Sequence, residues 1–128
     1  MGLAEKRALE QAQGTQVPDR LKKLKELGFD VAVEIDWKSM EDNLQVLQRV
    51  DFGVLSLVQD ALTKIAKDDI GKNAIKTGVK KVVVRHSTDK AQAMVSLKGK
   101  TLEVVEDLTT AAGNFNAAAI QKAIEAGL

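Results

Sequence analysis

From Phe29 to Trp37 the chain runs Phe-Asp-Val-Ala-Val-Glu-Ile-Asp-Trp, apolar at every odd position and acidic or small at every even one. Residues two apart on a strand share a face. The run therefore predicts a half-buried strand, with Phe29, Val31, Val33, Ile35 and Trp37 turned inward and Asp30, Ala32, Glu34 and Asp36 outward. A second strand is expected from Val79 to His86. Between Ala93 and Leu108, Gly99-Lys100 supplies a two-residue turn with glycine where positive φ is needed. Pairing Lys98 with Thr101 then sets Leu97 opposite Leu102 and Val95 opposite Val104 on one face, with Ser96, Lys98, Thr101 and Glu103 on the other.

Helical spacing fills most of the remainder. Leu3 to Gln13 predicts a short helix stopped by Gly14, with so narrow an apolar face that 1–16 is expected to pack loosely. Pro18 to Leu27 has proline in its first turn, a stripe of Leu21, Leu24 and Leu27, and Gly28 just past the end. Ser39 with Asp42 resembles a capping box for a helix buried through Met40, Leu44, Leu47 and Val50. Asp51 is expected to cap the next one, in which Leu55, Val58, Leu62 and Ile65 recur. The Val- and Leu-rich run 52–58 also fits a buried strand, and helix is the preferred reading. Asp68 or Asp69 opens a helix through Ile70 and Ile75 to Gly78. Asn114 or Asn116 caps a closing helix whose Ile120, Ala123 and Ile124 can cover the apolar face, with Gly127 near its end.

Together these signals predict a single α+β domain over 1–128. They suggest a mainly antiparallel sheet of about four strands with helices packed on one face, and a C-terminal β-hairpin followed by a helix. With 45% apolar and 29% charged residues, a chain of 128 residues has the composition of a protein that can bury a core.

Few side chains remain for covalent, redox or metal chemistry, because the chain has no cysteine, one histidine and one tryptophan. No disulfide or thiolate metal site is possible, no cofactor or metal is expected, and a reducing cytoplasm is compatible with that usage. The N-terminus carries no apolar signal core. Phe52 to Gln59, the most apolar uncharged run of the first half, falls far short of the roughly 20 residues that span a bilayer. Met1-Gly2 resembles a myristoylation start, but Lys6 stands where serine or threonine is needed.

Charge is segregated along the chain although the total is only +1. Asp30 to Asp51 holds six acidic residues against two basic, and Lys72 to Lys90 holds six basic against one acidic. If the first two strands are neighbours, Glu34 and Asp36 face Lys81 and Arg85 across the sheet; otherwise two opposite patches are exposed to a charged partner. The basic stretch lacks the interleaved aromatics of a single-strand binder, so nucleic acid is not the expected partner.

Arg85 and His86 end a strand and begin a connection, a common place for functional groups, and histidine is the natural proton carrier near neutrality. Ser87 cannot join His86 on one face while the strand continues. Glu34 and Asp36 stand roughly 6 to 7 Å apart on one face, which suits a cation, an acid–base pair or a basic partner only if a third group joins them. Asp68-Asp69 lacks the ligand spacing of a calcium loop, and Thr109 to Asn114 lacks both phosphate-loop glycine patterns.

The leading expectation is a non-catalytic binding or regulatory protein with a charged protein partner, contacting it through Glu34, Asp36, Trp37, Lys81, Arg85 and His86. One alternative is a small hydrolase or lyase with His86 as base, Arg85 as anion clamp and Glu34 or Asp36 as orienting carboxylate. The other is a self-associating structural protein; monomer and homodimer both remain open.

Overall fold

The computed structural model describes residues 2–40, 42–109 and 115–128. Helix α1 (Leu3–Gln11) runs into α2 (Val17–Glu26) through one wide π-helical turn, Ala12–Gln16, in which the Val17 N–H donates to the Ala12 carbonyl. Gly14 therefore does not stop the helix. Glycine terminates a helix by taking left-handed backbone, and among the described glycines only Gly28 and Gly99 do so. Pro18 comes just after this wide turn, in the first turn of α2, where a proline is accommodated more readily than in the interior of a regular helix.

The same device recurs once. Helices α3 (Leu44–Val50) and α4 (Ser56–Ile65) are continuous through the π-turn Asp51–Leu55, where the Ser56 N–H donates to the Asp51 carbonyl. The run 52–58 is thus helical. Two capping expectations change with it. Asn43 caps α3, accepting from the Val46 N–H at 3.2 Å, because the chain first closes a 3-10 turn at Trp37–Ser39, in which the Ser39 hydroxyl donates to the Asp36 carbonyl at 2.6 Å. Asp51 lies in the helical interior, and its carboxylate accepts from Arg20 of α2, Nε at 2.9 Å and Nη2 at 3.2 Å. Gln59 Oε1 of α4 takes the remaining arm of the guanidinium at 2.8 Å. Helix α5 (Asp69–Gly78) is capped by Asp68, which accepts from the Gly71 N–H. Its Ile75 is buried, whereas Ile70 is 84% exposed.

Four strands, β1 (Ala32–Ile35), β2 (Lys81–His86), β3 (Met94–Lys98) and β4 (Thr101–Glu106), form one sheet in the order β1-β2-β4-β3. The sheet is mixed rather than mainly antiparallel, since β1 with β2 and β2 with β4 run parallel and only β3 with β4 runs antiparallel. Helices α3 to α5 explain the first parallel pair: a crossover that long returns the chain to the end of the sheet where it began. The second arises because β4 enters between β2 and β3. The β3–β4 register has Lys98 opposite Thr101 and Leu97 opposite Leu102, and both Gly99 (φ 56°) and Lys100 (φ 67°) take left-handed backbone between them.

One face of this sheet is covered. Ile35, Val82, Val84, Leu97, Leu102 and Val104 join Val46, Leu47, Val50, Val58 and Leu62 from α3 and α4, and Ile120 and Ile124 from α6 (Ala117–Gly127), in a single apolar cluster. Asn116 caps α6, accepting from the Ala119 N–H; the alternative cap, Asn114, lies outside the described residues. Phe29 and Val31 are buried just ahead of β1, so with Ile35 they keep the inward side of the alternating run even though the strand is shorter than its pattern; Trp37, in the 3-10 turn, is only partly buried and does not continue it. No helix among the described residues is long and apolar enough to cross a membrane.

The Arg20–Asp51 pair ties α2 to the second wide turn with side chains only 13% and 21% exposed. Removing one partner leaves the other poorly hydrated and without its bonds. Arg20→Ala is expected to lower the unfolding free energy in urea by roughly 2 to 3 kcal/mol. Lys23→Ala, on the exposed side of the same helix, is expected to change it by less than about 0.5 kcal/mol.

Candidate functional site

Parity along the strands decides which polar groups can meet. On β2, Lys81, Val83 and Arg85 face away from the helices, and the register sets Glu34 of β1 and Glu103 of β4 on either side of Val83. Glu34, Val83, Arg85 and Glu103 line a shallow hollow on the uncovered face, with Asp36, Trp37 and Lys38 forming its rim where β1 turns into the 3-10 turn. Trp37 is half-buried and packs against the core while also lining the hollow. Glu34 and Lys81 form an ion pair across the two strands, with both side chains well exposed. Its contribution is therefore small, roughly 0 to 1 kcal/mol.

Arg85 reaches along the sheet toward the connection after β2, where its Nη1 lies 3.4 Å from Gln92 Oε1. That connection is organised by its own side chains. The Ser87 hydroxyl donates to Gln92 Oε1 at 3.0 Å and accepts from the Asp89 N–H, while Asp89 accepts from the Ala91 N–H to cap the short turn Lys90–Gln92. This turn packs on β4, on whose outward face Val105 is fully buried.

His86 points the other way. Its side chain is 9% exposed, and its Nδ1 accepts from the Leu108 N–H at 3.1 Å, so the neutral ring carries its proton on Nε2. Asp107 Oδ1 lies 4.0 Å from the same nitrogen and accepts from both the N–H and the hydroxyl of Thr109. Those bonds to Thr109 hold the Asp107 carboxyl below its usual range. The backbone N–H of His86 donates to Ser39 Oγ at 3.1 Å, and Arg49 of α3 donates to the Leu108 carbonyl at 3.0 Å. Histidine here fastens the ends of β2 and β4 together. The cause is the alternation itself: the neighbours Arg85 and His86 on a continuous strand cannot share a face.

Of the residues singled out from sequence, Glu34, Asp36, Trp37 and Arg85 converge on the hollow, and Lys81 lies beside it bound to Glu34. His86 does not join them. The hollow that Glu34, Asp36 and Arg85 line does not include the His86 side chain, which is 9% exposed. Among the described residues no group of three or more histidine, aspartate or glutamate side chains is placed to hold a metal ion.

Glu106 was not among the sequence candidates. It is 1% exposed, and burial, partly opposed by a hydrogen bond from the Phe115 N–H, pushes its carboxyl up to about 7. The signal for it exists in the sequence, since Leu102 and Val104 lead by steps of two to position 106 on the buried face. Comparison of the chain with protein-family models, curated proteins and solved structures returns no match.

The opposite orientations of Arg85 and His86 separate their effects on stability. His86→Ala removes the acceptor of a buried N–H and should cost roughly 1 to 3 kcal/mol in chemical denaturation. Arg85→Ala should stay within about 0.5 kcal/mol of the unaltered chain.

Proposed function

We propose that this chain is a non-catalytic binding domain whose contact surface is the uncovered face of the sheet, taking a charged protein partner. The observation that supports this reading is one-sidedness: the helices and the apolar cluster occupy one face, while the other presents a hollow edged by Glu34, Asp36, Trp37, Arg85 and Glu103. Charge of both signs surrounds an apolar floor at Val83. Such a surface suits a partner that supplies complementary charges at its rim and a small apolar group at its centre. Part of the segregated charge is already neutralised within the molecule by the Glu34–Lys81 pair, leaving Asp36, Arg85 and Glu103 for recognition.

The lone tryptophan makes the test direct. Partners retained from a cell extract at low salt are purified and titrated against the wild-type chain, Arg85→Glu and Asp36→Lys. The expected result is a shift of Trp37 emission on binding and a loss of affinity of at least tenfold in one or both variants, with weaker binding as salt is raised. If no retained protein responds to charge reversal or perturbs Trp37, the open face is not a binding surface of this kind.

A further inference from the structure

The end of β4 holds the one buried side-chain oxygen without a hydrogen-bond partner among the described residues, Oε1 of Glu106. Its sister oxygen, Oε2, accepts from the N–H of Phe115, two residues ahead of α6, at 3.0 Å. A single carboxyl group therefore joins the last strand to the lead-in of the closing helix, and half of it is buried with nothing to bind. We propose that Glu106 is a proton-operated latch, closed on Phe115 and the start of α6 when its carboxyl is protonated and released when the proton is lost.

Among the described residues no charged group compensates this carboxyl. On β2, the register partner is His86, whose Nδ1 is engaged by the Leu108 N–H. From α3, Arg49 is turned to the Leu108 carbonyl. The first turn of α6 carries no acidic residue, and Asp107, next in the chain, is bonded to Thr109. An ionised Glu106 would retain the Phe115 bond yet bury a bare anionic oxygen, and a carboxylate so placed is costly unless water reaches it. Water can reach it if Phe115 and α6 draw away from the strand end. Deprotonation and opening are then linked equilibria, each favouring the other.

The sign follows from linkage. The carboxyl titrates near 7 in the closed form, against 4.5 for an ordinary glutamate, so the closed form binds the proton more tightly. Closure is strongest below the lower value, weakens as pH rises toward the upper one, and levels off beyond it. Between pH 5.5 and 8.5 the closed-to-open ratio should fall roughly thirtyfold, most of it below pH 7.

Two readings on the intact chain decide the matter. Carbon-detected NMR follows the Glu106 carboxyl, assigned through its own side chain, while hydrogen exchange follows the Ile120 and Ile124 amides with intrinsic rates corrected for pH. The expected result is a carboxyl inflection near 7, accompanied by that loss of protection in α6, and protection that is flat with pH in Glu106→Gln. An inflection near 4.5 overturns the proposal, as does a high inflection through which α6 protection stays constant. Should Glu106→Gln fail to fold, the wild-type titration and exchange data alone distinguish these outcomes.

Discussion

Burial of one sheet face under the helices is the constraint from which the rest of this molecule follows. Val82, Val84, Leu102 and Val104 are wholly buried, each contributing roughly 1.5 to 3 kcal/mol by leaving water. A slip of one residue in any strand would put its valines and leucines in solvent and its lysines and glutamates in the core. That penalty fixes the direction of every polar side chain in the sheet. Arg85 goes to the open face, while His86 and Glu106 go inside because they continue the series of Val84 and Val104.

The same constraint explains what was legible in the sequence. Alternation reports which face a residue occupies, and the inward placement of Phe29, Val31, Ile35, Leu97 and Leu102 was readable on that ground alone. Neighbour order was not. Nothing local distinguishes a β4 lying between β2 and β3 from a simple succession of strands, because that choice depends on whether the connection 87–93 sets β3 beside β2 or leaves a strand's width between them. Helix ends were misread where one residue type serves two purposes. Gly14 has the composition of a stop and Asp51 that of a cap, yet the first lies within a wide turn and the second accepts a guanidinium from 31 positions away. Glu106 was overlooked because an acidic residue at a strand end is ordinarily solvated, and only extending the parity of Leu102 and Val104 would have marked it.

Charge segregation along the chain has a modest structural meaning. Since β1 and β2 are neighbours, an acidic and a basic segment come together, and Glu34 meets Lys81 across them. An exposed pair of that sort barely affects folding. The far less conspicuous pair, Arg20 with Asp51, is shielded from water and assisted by Gln59, so it holds the helical layer together more effectively. Spacing in sequence gives no hint of this, as it carries no information on burial.

The two wide turns have a consequence for how this helical layer can vary. Each encloses one residue more than an α-turn would, and that surplus rotates the following segment by about 100° relative to the preceding one. The apolar stripes of α1 and α2, and of α3 and α4, are therefore phased by the surplus as much as by their composition. Gain or loss of a single amino acid would be absorbed in Ala12–Gln16 or Asp51–Leu55 only at the expense of swinging a whole stripe around its axis. Chain length in these two short stretches is thus held as tightly as the identity of any core residue.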